Sequence, residues 1–299
     1  VFAKAGFIVG LIELIALAAA ATLVHLAYAE VVLRTPGVER LPGYVKRYLG
    51  KRAGLASKAS YLFGLSGTLL AYVALGGFFA GKLLQSLAPD INIGFGTVVF
   101  YILGVGIIFR GLRFESLVNA VLSLGLVAAV ILLAVMLLPY ASPFSGVSFQ
   151  LSALAIPYGV IIFAMSGSAI IPEMRRVLKP SEASAMSKIV MAGTLTTAVL
   201  YLLFAVAVVG ATGAGTTPDA ITGLADRFGS FYSILGSLIG FLAAITSFIT
   251  LGLVLKGTLA SDFGFKPVAA LFLTAAIPAL FYILGFQDFI AIIGLVGAV

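Results

Sequence analysis

A run of 19 apolar and small residues decides the class of fold: Ala153-Leu-Ala-Ile-Pro-Tyr-Gly-Val-Ile-Ile-Phe-Ala-Met-Ser-Gly-Ser-Ala-Ile-Ile171, followed by Pro172 and Glu173. A helix that crosses the ~30 Å core of a bilayer needs ~20 residues, so the run is long enough to span a membrane. Ser166-Gly167-Ser168 interrupts it. Small polar residues around a glycine indicate either a helix broken inside the membrane, with backbone groups open to a ligand, or a close packing face. The residues alone leave both possibilities open.

The composition of the rest of the chain agrees with this membrane class. Of the 299 residues, 62% are hydrophobic and 10% are charged, whereas soluble domains have ~45–50% and ~25%. These values exclude a soluble enzyme, a disordered chain and a disulfide scaffold. Cysteine is absent and His25 is the single histidine, so we predict no metal site and no cofactor.

Apolar runs separated by short polar segments cover most of the chain. We interpret them as helices, because a lone strand cannot satisfy its backbone in lipid. The last run has 11 residues and the first residue is Val1, so we expect one transmembrane domain over residues 1–299 that is incomplete at both ends. The runs are 6–33, 57–84, 95–109, 117–139, 153–171, 189–211, 230–255, 267–285 and 289–299.

The basic residues divide unequally between alternate loops. Fifteen of the 18 Lys and Arg residues lie on one side, and Lys4, Lys82 and Arg227 lie on the other. The positive-inside rule predicts that the richer side is cytoplasmic and that the protein is a multi-pass protein of the cell membrane. The net charge of +7 therefore requires no nucleic acid as a partner.

Two loops carry patterns of their own. Apolar residues of segment 41–49 share one helical face, and basic residues crowd the other. This pattern indicates a helix on the inner membrane surface or a solvated basic connector. On the opposite side, Thr217-Pro218-Asp219 has the cap, first-turn proline and acidic residue typical of a helix start, and we predict a helix ending near Phe228.

Ionisable groups inside a membrane are costly, so each one is a candidate site. Glu13 is either a proton-coupling carboxylate or an interfacial group that reaches water. His25 lies deeper in the same run and is either a coupling residue or a hydrogen-bond partner between helices. Glu30 precedes Arg34 by four residues, a spacing that predicts an ion pair.

Hydroxyl groups supply further candidates. Thr246 and Ser247 lie centrally in run 230–255 and can coordinate a cation or bond to their own helix. Tyr72 can present its hydroxyl to a ligand or to a neighbouring helix. The chain has no HExxH motif, no clustered carboxylates and no Ser/His/Asp set at one depth, so we expect no enzyme. We also find no repeated filter typical of a channel.

Several short stretches carry a family resemblance: Phe2–Phe7, Tyr28–Gly37, Leu41–Tyr44, Leu70–Tyr72, Phe163–Gly167 with Pro172-Glu173, and Ala244–Phe248. In order and spacing they resemble the tryptophan/tyrosine permease family of the amino acid–polyamine–organocation superfamily, over the whole chain. The resemblance implies ten core helices in two inverted five-helix repeats. The chain would then cover the end of helix one to the start of helix ten.

The resemblance also implies a site and an activity. Substrate would lie between broken helices one and six, with Phe163, Ala164, Ser166, Gly167 and Ser168 lining the pocket. Tyr72 and Ser247 would flank it, and Thr246 with Ser247 would occupy the cation position of sodium-coupled relatives. We therefore expect a secondary active amino acid transporter that works by alternating access, with H⁺ as the coupling ion. The alternative is a Na⁺-coupled transporter of neutral amino acids from a related branch.

Overall fold

The computed structural model describes residues 2–142, 155–217 and 219–297. Within these ranges the backbone forms twelve α-helices, four short 3₁₀ turns and no strand, which confirms the predicted all-α class. The helices are α1 Phe2–Ala5, α2 Phe7–Arg34, α3 Leu41–Leu87, α4 Ile93–Arg110, α5 Leu112–Leu137, α6 Ala155–Met165, α7 Ile171–Val177, α8 Met186–Thr212, α9 Thr222–Phe228, α10 Ser230–Ser261, α11 Pro267–Ile283 and α12 Phe289–Gly297. The turns are Leu138–Tyr140, Ser168–Ile170, Pro180–Ala185 and Gly213–Gly215.

The helices correspond to the predicted apolar runs. In the described ranges, seven helical stretches are long and apolar enough to cross a membrane, and α6 with α7 forms one of them. Helix α11 is apolar but has 17 residues, and α12 covers the described part of the last run. Residues 153–154 and 298–299 of the predicted runs lie outside the described residues. The chain is therefore a multi-pass membrane protein.

The predicted surface helix is the first part of α3. Gly50 has φ 89° and ψ 175°, a conformation that residues with a side chain rarely adopt, and it separates segment 41–49 from the membrane-spanning part of α3. Tyr48 and Leu49 are exposed beside Lys46 and Arg47. The helical conformation is thus confirmed, while its contact with the membrane surface stays a prediction.

The start of α5 differs from the predicted run 117–139. Gly111, with φ 87°, ends α4 and begins α5 at Leu112, because a glycine can turn the chain directly from one helix into the next. The helix therefore includes Glu115, which the apolar run had left in the preceding loop. Glu115 is only 4% exposed, so the earlier start places a carboxylate inside the helical bundle.

The helix predicted to start at Thr217, in contrast, begins later than predicted. It starts at Thr222 rather than next to Thr217, and its end at Phe228 agrees with the prediction. Asp219 provides the cap, since it accepts hydrogen bonds from the Thr222 N–H at 3.3 Å and the Thr217 hydroxyl at 2.6 Å. Burial alone would raise the pKa of the Asp219 carboxyl, but the hydrogen bonds from Thr217 and Thr222 outweigh it and lower the pKa. Pro218 lies outside the described residues.

The centre of the bundle consists of α3, α4 and α10, which pack against one another through small residues and aromatic rings. A Cβ atom at Gly96 on α4 would overlap the backbone of Gly81 on α3, so the two helices touch main chain to main chain. Phe100 on α4 and Phe248 on α10 are buried, and their ring centroids lie 5.4 Å apart. This core holds α3 and α10 beside the broken helix.

Candidate substrate site

The segment α6–α7 is broken where the sequence indicated. Helix α6 ends at Met165, Ser166 and Gly167 leave the helical path, and a 3₁₀ turn leads into α7. Gly167 has φ −109° and ψ 1°, and the Ser166 hydroxyl donates to the carbonyl of Ile162 at 2.8 Å. A hydroxyl that bonds back to its own helix competes with the regular backbone pattern. The broken form, rather than an unbroken packing face, is therefore confirmed.

The break opens on a cavity of about 650 Å³ between α2, α3, α5, α8 and α10. Eight of the ten residues proposed for substrate, cation or proton binding line this cavity. The predicted residues that line the cavity are His25, Tyr72, Phe163, Ala164, Ser166, Gly167, Thr246 and Ser247. Ser168 and Glu13 are not among the lining residues.

Aromatic rings form one wall of the cavity. The rings of Tyr72 on α3 and Phe163 on α6 have centroids 6.0 Å apart, and Phe163 also contacts Phe289 of α12 at 6.4 Å. Tyr72 and Ser247 both line the cavity, and their hydroxyl groups interact with each other. Aromatic rings at such distances offer both apolar area and ring-edge contacts, so this wall suits an apolar or aromatic side chain.

The polar groups of the cavity lie near the break. Tyr201, which no sequence pattern indicated, donates its hydroxyl to the carbonyl of Ala164 at 3.1 Å. The Thr246 hydroxyl donates to the carbonyl of Leu242 at 2.8 Å, so this side chain bonds to its own helix. A carbonyl oxygen has two lone pairs, and Ala164 therefore retains acceptor capacity for a ligand.

His25 is oriented towards the break by Thr194. Its Nδ1 atom lies 3.1 Å from the Thr194 hydroxyl oxygen, and that hydroxyl already donates to the carbonyl of Val190 at 2.9 Å. A hydroxyl has a single proton, so Nδ1 is the donor and carries the hydrogen. A Cβ atom on Gly167 would lie 3.5 Å from His25 Cε1. The imidazole therefore faces the helix break, a contact that the sequence did not reveal.

Glu13 lies away from the cavity on the same helix. One of its carboxylate oxygens is buried and has no hydrogen-bond partner among the described residues. The structure thus separates the two residues predicted for proton coupling, because it brings His25 to the cavity and leaves Glu13 outside it.

A buried ion network follows the break on the side of the molecule that carries most Lys and Arg residues, which we call the basic end. Arg40 precedes α3, and its Nη2 atom lies 2.7 Å from Glu173 Oε1 on α7. Arg176 Nη1 lies 3.0 Å from both oxygens of the same carboxylate. Arg40 also donates to the hydroxyl of Ser261 at the end of α10 at 3.3 Å. The network therefore connects the α2–α3 loop, α7 and α10.

The site has the composition of a binding site for a small organic molecule. Within the described ranges, no three His, Cys, Asp or Glu side chains are placed to hold a metal ion. The cavity instead offers aromatic rings, hydroxyl groups and the backbone of a broken helix, which suit reversible binding.

Comparison with known proteins agrees with this site. No curated protein matches the chain significantly. Residues 1–299 match the model of the tryptophan/tyrosine permease family. The chain therefore belongs to the tryptophan/tyrosine permease family, whose members are amino acid transporters of the membrane and not enzymes.

Proposed function

We propose that the protein is a secondary active transporter that carries an aromatic amino acid together with a proton. The observation that carries this proposal is the break at Ser166 and Gly167, which opens on a cavity with an aromatic wall. Broken helices are the usual place where transporters present backbone groups to a charged substrate inside the membrane. In this scheme, alternating access exposes the cavity first to one side of the membrane and then to the other.

The substrate's ammonium group would lie at the carbonyl groups near Phe163 and Ala164. Its side chain would lie against the rings of Tyr72 and Phe163, whose centroids are 6.0 Å apart. Ser247, whose hydroxyl interacts with that of Tyr72, would position the Tyr72 ring. The carbonyl of Ala164, which already accepts from Tyr201, would use its second lone pair for the ammonium group.

A proton is the proposed coupling ion because a titratable side chain reaches the cavity. The His25 imidazole faces Gly167, and imidazole changes its charge near neutral pH more readily than other side chains. Sodium at Thr246 and Ser247 is the competing coupling ion, since both residues line the cavity. The positive-inside rule supports a cytoplasmic location for the basic end and a place in the cell membrane.

Uptake into proteoliposomes tests this function. The full-length protein would be reconstituted, and uptake of labelled tryptophan, tyrosine and phenylalanine measured with an imposed proton gradient, a sodium gradient or neither. We expect saturable uptake that follows the proton gradient and stops when a protonophore is added. Uptake that requires sodium would refute proton coupling, and no saturable uptake of any of the three would refute the substrate class.

Variants of two tyrosines test the location of the site. Tyr72→Phe removes a hydroxyl from the cavity lining, and it should raise KM about two- to tenfold, since a typical hydrogen bond to the substrate contributes about 0.5–1.5 kcal/mol. Tyr158→Phe is the matched control, because Tyr158 is 56% exposed and does not line the cavity. Equal KM values for the two variants would place the substrate elsewhere.

A further inference from the structure

Glu115 is a buried carboxylate without a cationic partner. It lies in the first turn of α5 and is 4% exposed. None of the ion pairs among the described residues includes it. Glu173 is buried to a similar degree but contacts two arginines. Burial of an unpaired charge is costly, so an unpaired carboxylate inside a membrane protein marks a candidate for proton binding.

Hydroxyl and amide groups connect Glu115 with the next turn of its helix and with α10. Thr250 on α10 donates its hydroxyl to Glu115 Oε1 at 2.8 Å. Asn119, one turn along α5, donates its amide to the Thr250 oxygen at 3.2 Å. The other side-chain atom of Asn119, Oδ1, is buried and has no partner among the described residues. These contacts form a continuous chain from Asn119 through Thr250 to the carboxylate.

The chain of hydrogen bonds ends at the substrate cavity. Asn119 and Thr250 both line it, together with Thr246 one turn along α10, whereas Glu115 lies behind them. A proton from a water molecule in the cavity can therefore reach the carboxylate through the Thr250 hydroxyl. This hydroxyl accepts a hydrogen bond from Asn119 and donates one to Glu115. The orphaned Asn119 oxygen is available to hold such a water molecule.

The charged groups around α5 leave Glu115 without a counter-ion. Glu173 on α7 acts on it electrostatically, and the two arginines of the ion network already pair with Glu173. On its own helix, Ser116 contacts the second oxygen at 3.5 Å. The basic side chains of α5 and of the helices packed against it do not pair with Glu115. Arg110 of α4 stacks on Phe114, and Lys256 of α10 donates to the carbonyl of Ile108. Lys188 of α8 and Arg113 of α5 are exposed.

We propose that Glu115 binds the coupling proton, with Asn119 and Thr250 connecting it to the substrate cavity. The inference rests on the proton-coupled transport proposed above. A hydronium ion in the cavity gives up one proton and becomes water, while the carboxylate gains an O–H bond and becomes neutral. At the basic end that O–H bond breaks again, and a water molecule there accepts the proton as hydronium. Protonation removes the buried charge between α5 and α10, and it weakens the hydrogen bond that Thr250 donates to Glu115, because hydrogen bonds to an ionised acceptor are roughly twice as strong as those to a neutral one.

Glu115→Gln in the full-length protein is the test. A gradient of about one pH unit supports about tenfold accumulation for one proton per substrate, because 1.4 kcal/mol corresponds to a factor of ten. We expect the variant to lose this tenfold accumulation but to exchange internal for external labelled substrate at the wild-type rate, since exchange moves no net proton. The glutamine keeps an oxygen that accepts from Thr250. Glu30→Gln is the control, because Glu30 forms an exposed ion pair with Arg34. This variant should accumulate substrate like the wild-type protein.

Glu115→Asp provides a second variant that keeps a titratable group. It should retain gradient-driven accumulation with a displaced pH profile. Normal accumulation by Glu115→Gln would overturn the inference, and so would loss of both accumulation and exchange with a lowered melting temperature, which indicates a structural contact. Loss of accumulation in His25→Gln but not in Glu115→Gln would assign the proton to His25. A wild-type protein without proton-driven uptake would refute the proposed function itself.

Discussion

Replacing Glu173 by alanine removes the carboxylate that holds two arginines at the basic end of the bundle. The side chains of Arg40 and Glu173 are 3% and 7% exposed, with 2.7 Å between Nη2 and Oε1. Removal of one partner of a buried pair typically costs about 3–5 kcal/mol, because the other charge stays buried without compensation. Arg40 would lose its only ion pair among the described residues and keep one long hydrogen bond to Ser261.

The chain contains a matched control for this substitution. Glu30 and Arg34 form an ion pair at 2.5 Å, but their side chains are 50% and 78% exposed. Exposed pairs typically contribute about 0–1 kcal/mol. The two glutamates therefore pair with arginine at nearly the same distance, and they differ in burial and in the second arginine, Arg176, that contacts Glu173. We expect Glu173→Ala to lower the free energy of unfolding by at least about 2 kcal/mol more than Glu30→Ala.

Unfolding of the purified protein by titration from a mild detergent into dodecyl sulfate, followed by circular dichroism, measures this difference. The double variant Arg40→Met/Glu173→Met should recover part of the lost stability, since well-packed apolar residues often replace a buried pair without loss. Equal unfolding free energies for Glu173→Ala and Glu30→Ala, within about 0.5 kcal/mol, would refute the reasoning that burial determines the strength of the pair.

Two further predictions concern helix packing and the start of α9. Gly96→Ala should lower the free energy of unfolding by about 1–3 kcal/mol through overpacking, because the added Cβ would overlap the backbone of Gly81. Gly106→Ala is the control, since the space around its added carbon is open. It should change the free energy of unfolding little in the same titration. The lowered pKa of Asp219 means that its cap stabilises the fold fully above the ordinary value of 3.8 and that this stabilisation is lost as the pH falls through the lowered value. Asp219→Asn should therefore flatten the acid side of the melting temperature plotted against pH, and an unchanged acid side would contradict the capping role.

The sequence predicted the membrane class and the positions of the spans, and the family resemblance favoured the break in α6–α7, which the residues alone had left open. These features are local, because a bilayer requires ~20 apolar residues per helix and the Ser166–Gly167 interruption acts within one segment. The family resemblance added part of the cavity lining, including Phe163 and Ser247. The sequence missed the start of α5, because a glycine with positive φ extended the helix beyond its apolar run to include Glu115.

Only the tertiary structure decided which polar side chains meet. His25 and Thr194 are 169 residues apart in the sequence, and Thr250 and Glu115 are 135 apart. The residues around each of these side chains resemble those around many other polar residues of the chain. No local pattern therefore tells which polar side chains form a hydrogen bond with one another. The packing of α2 against α8 and of α5 against α10 determines the partners. The sequence by itself therefore determined where the chain crosses the membrane, and the packing of its helices decided where its buried charges are neutralised.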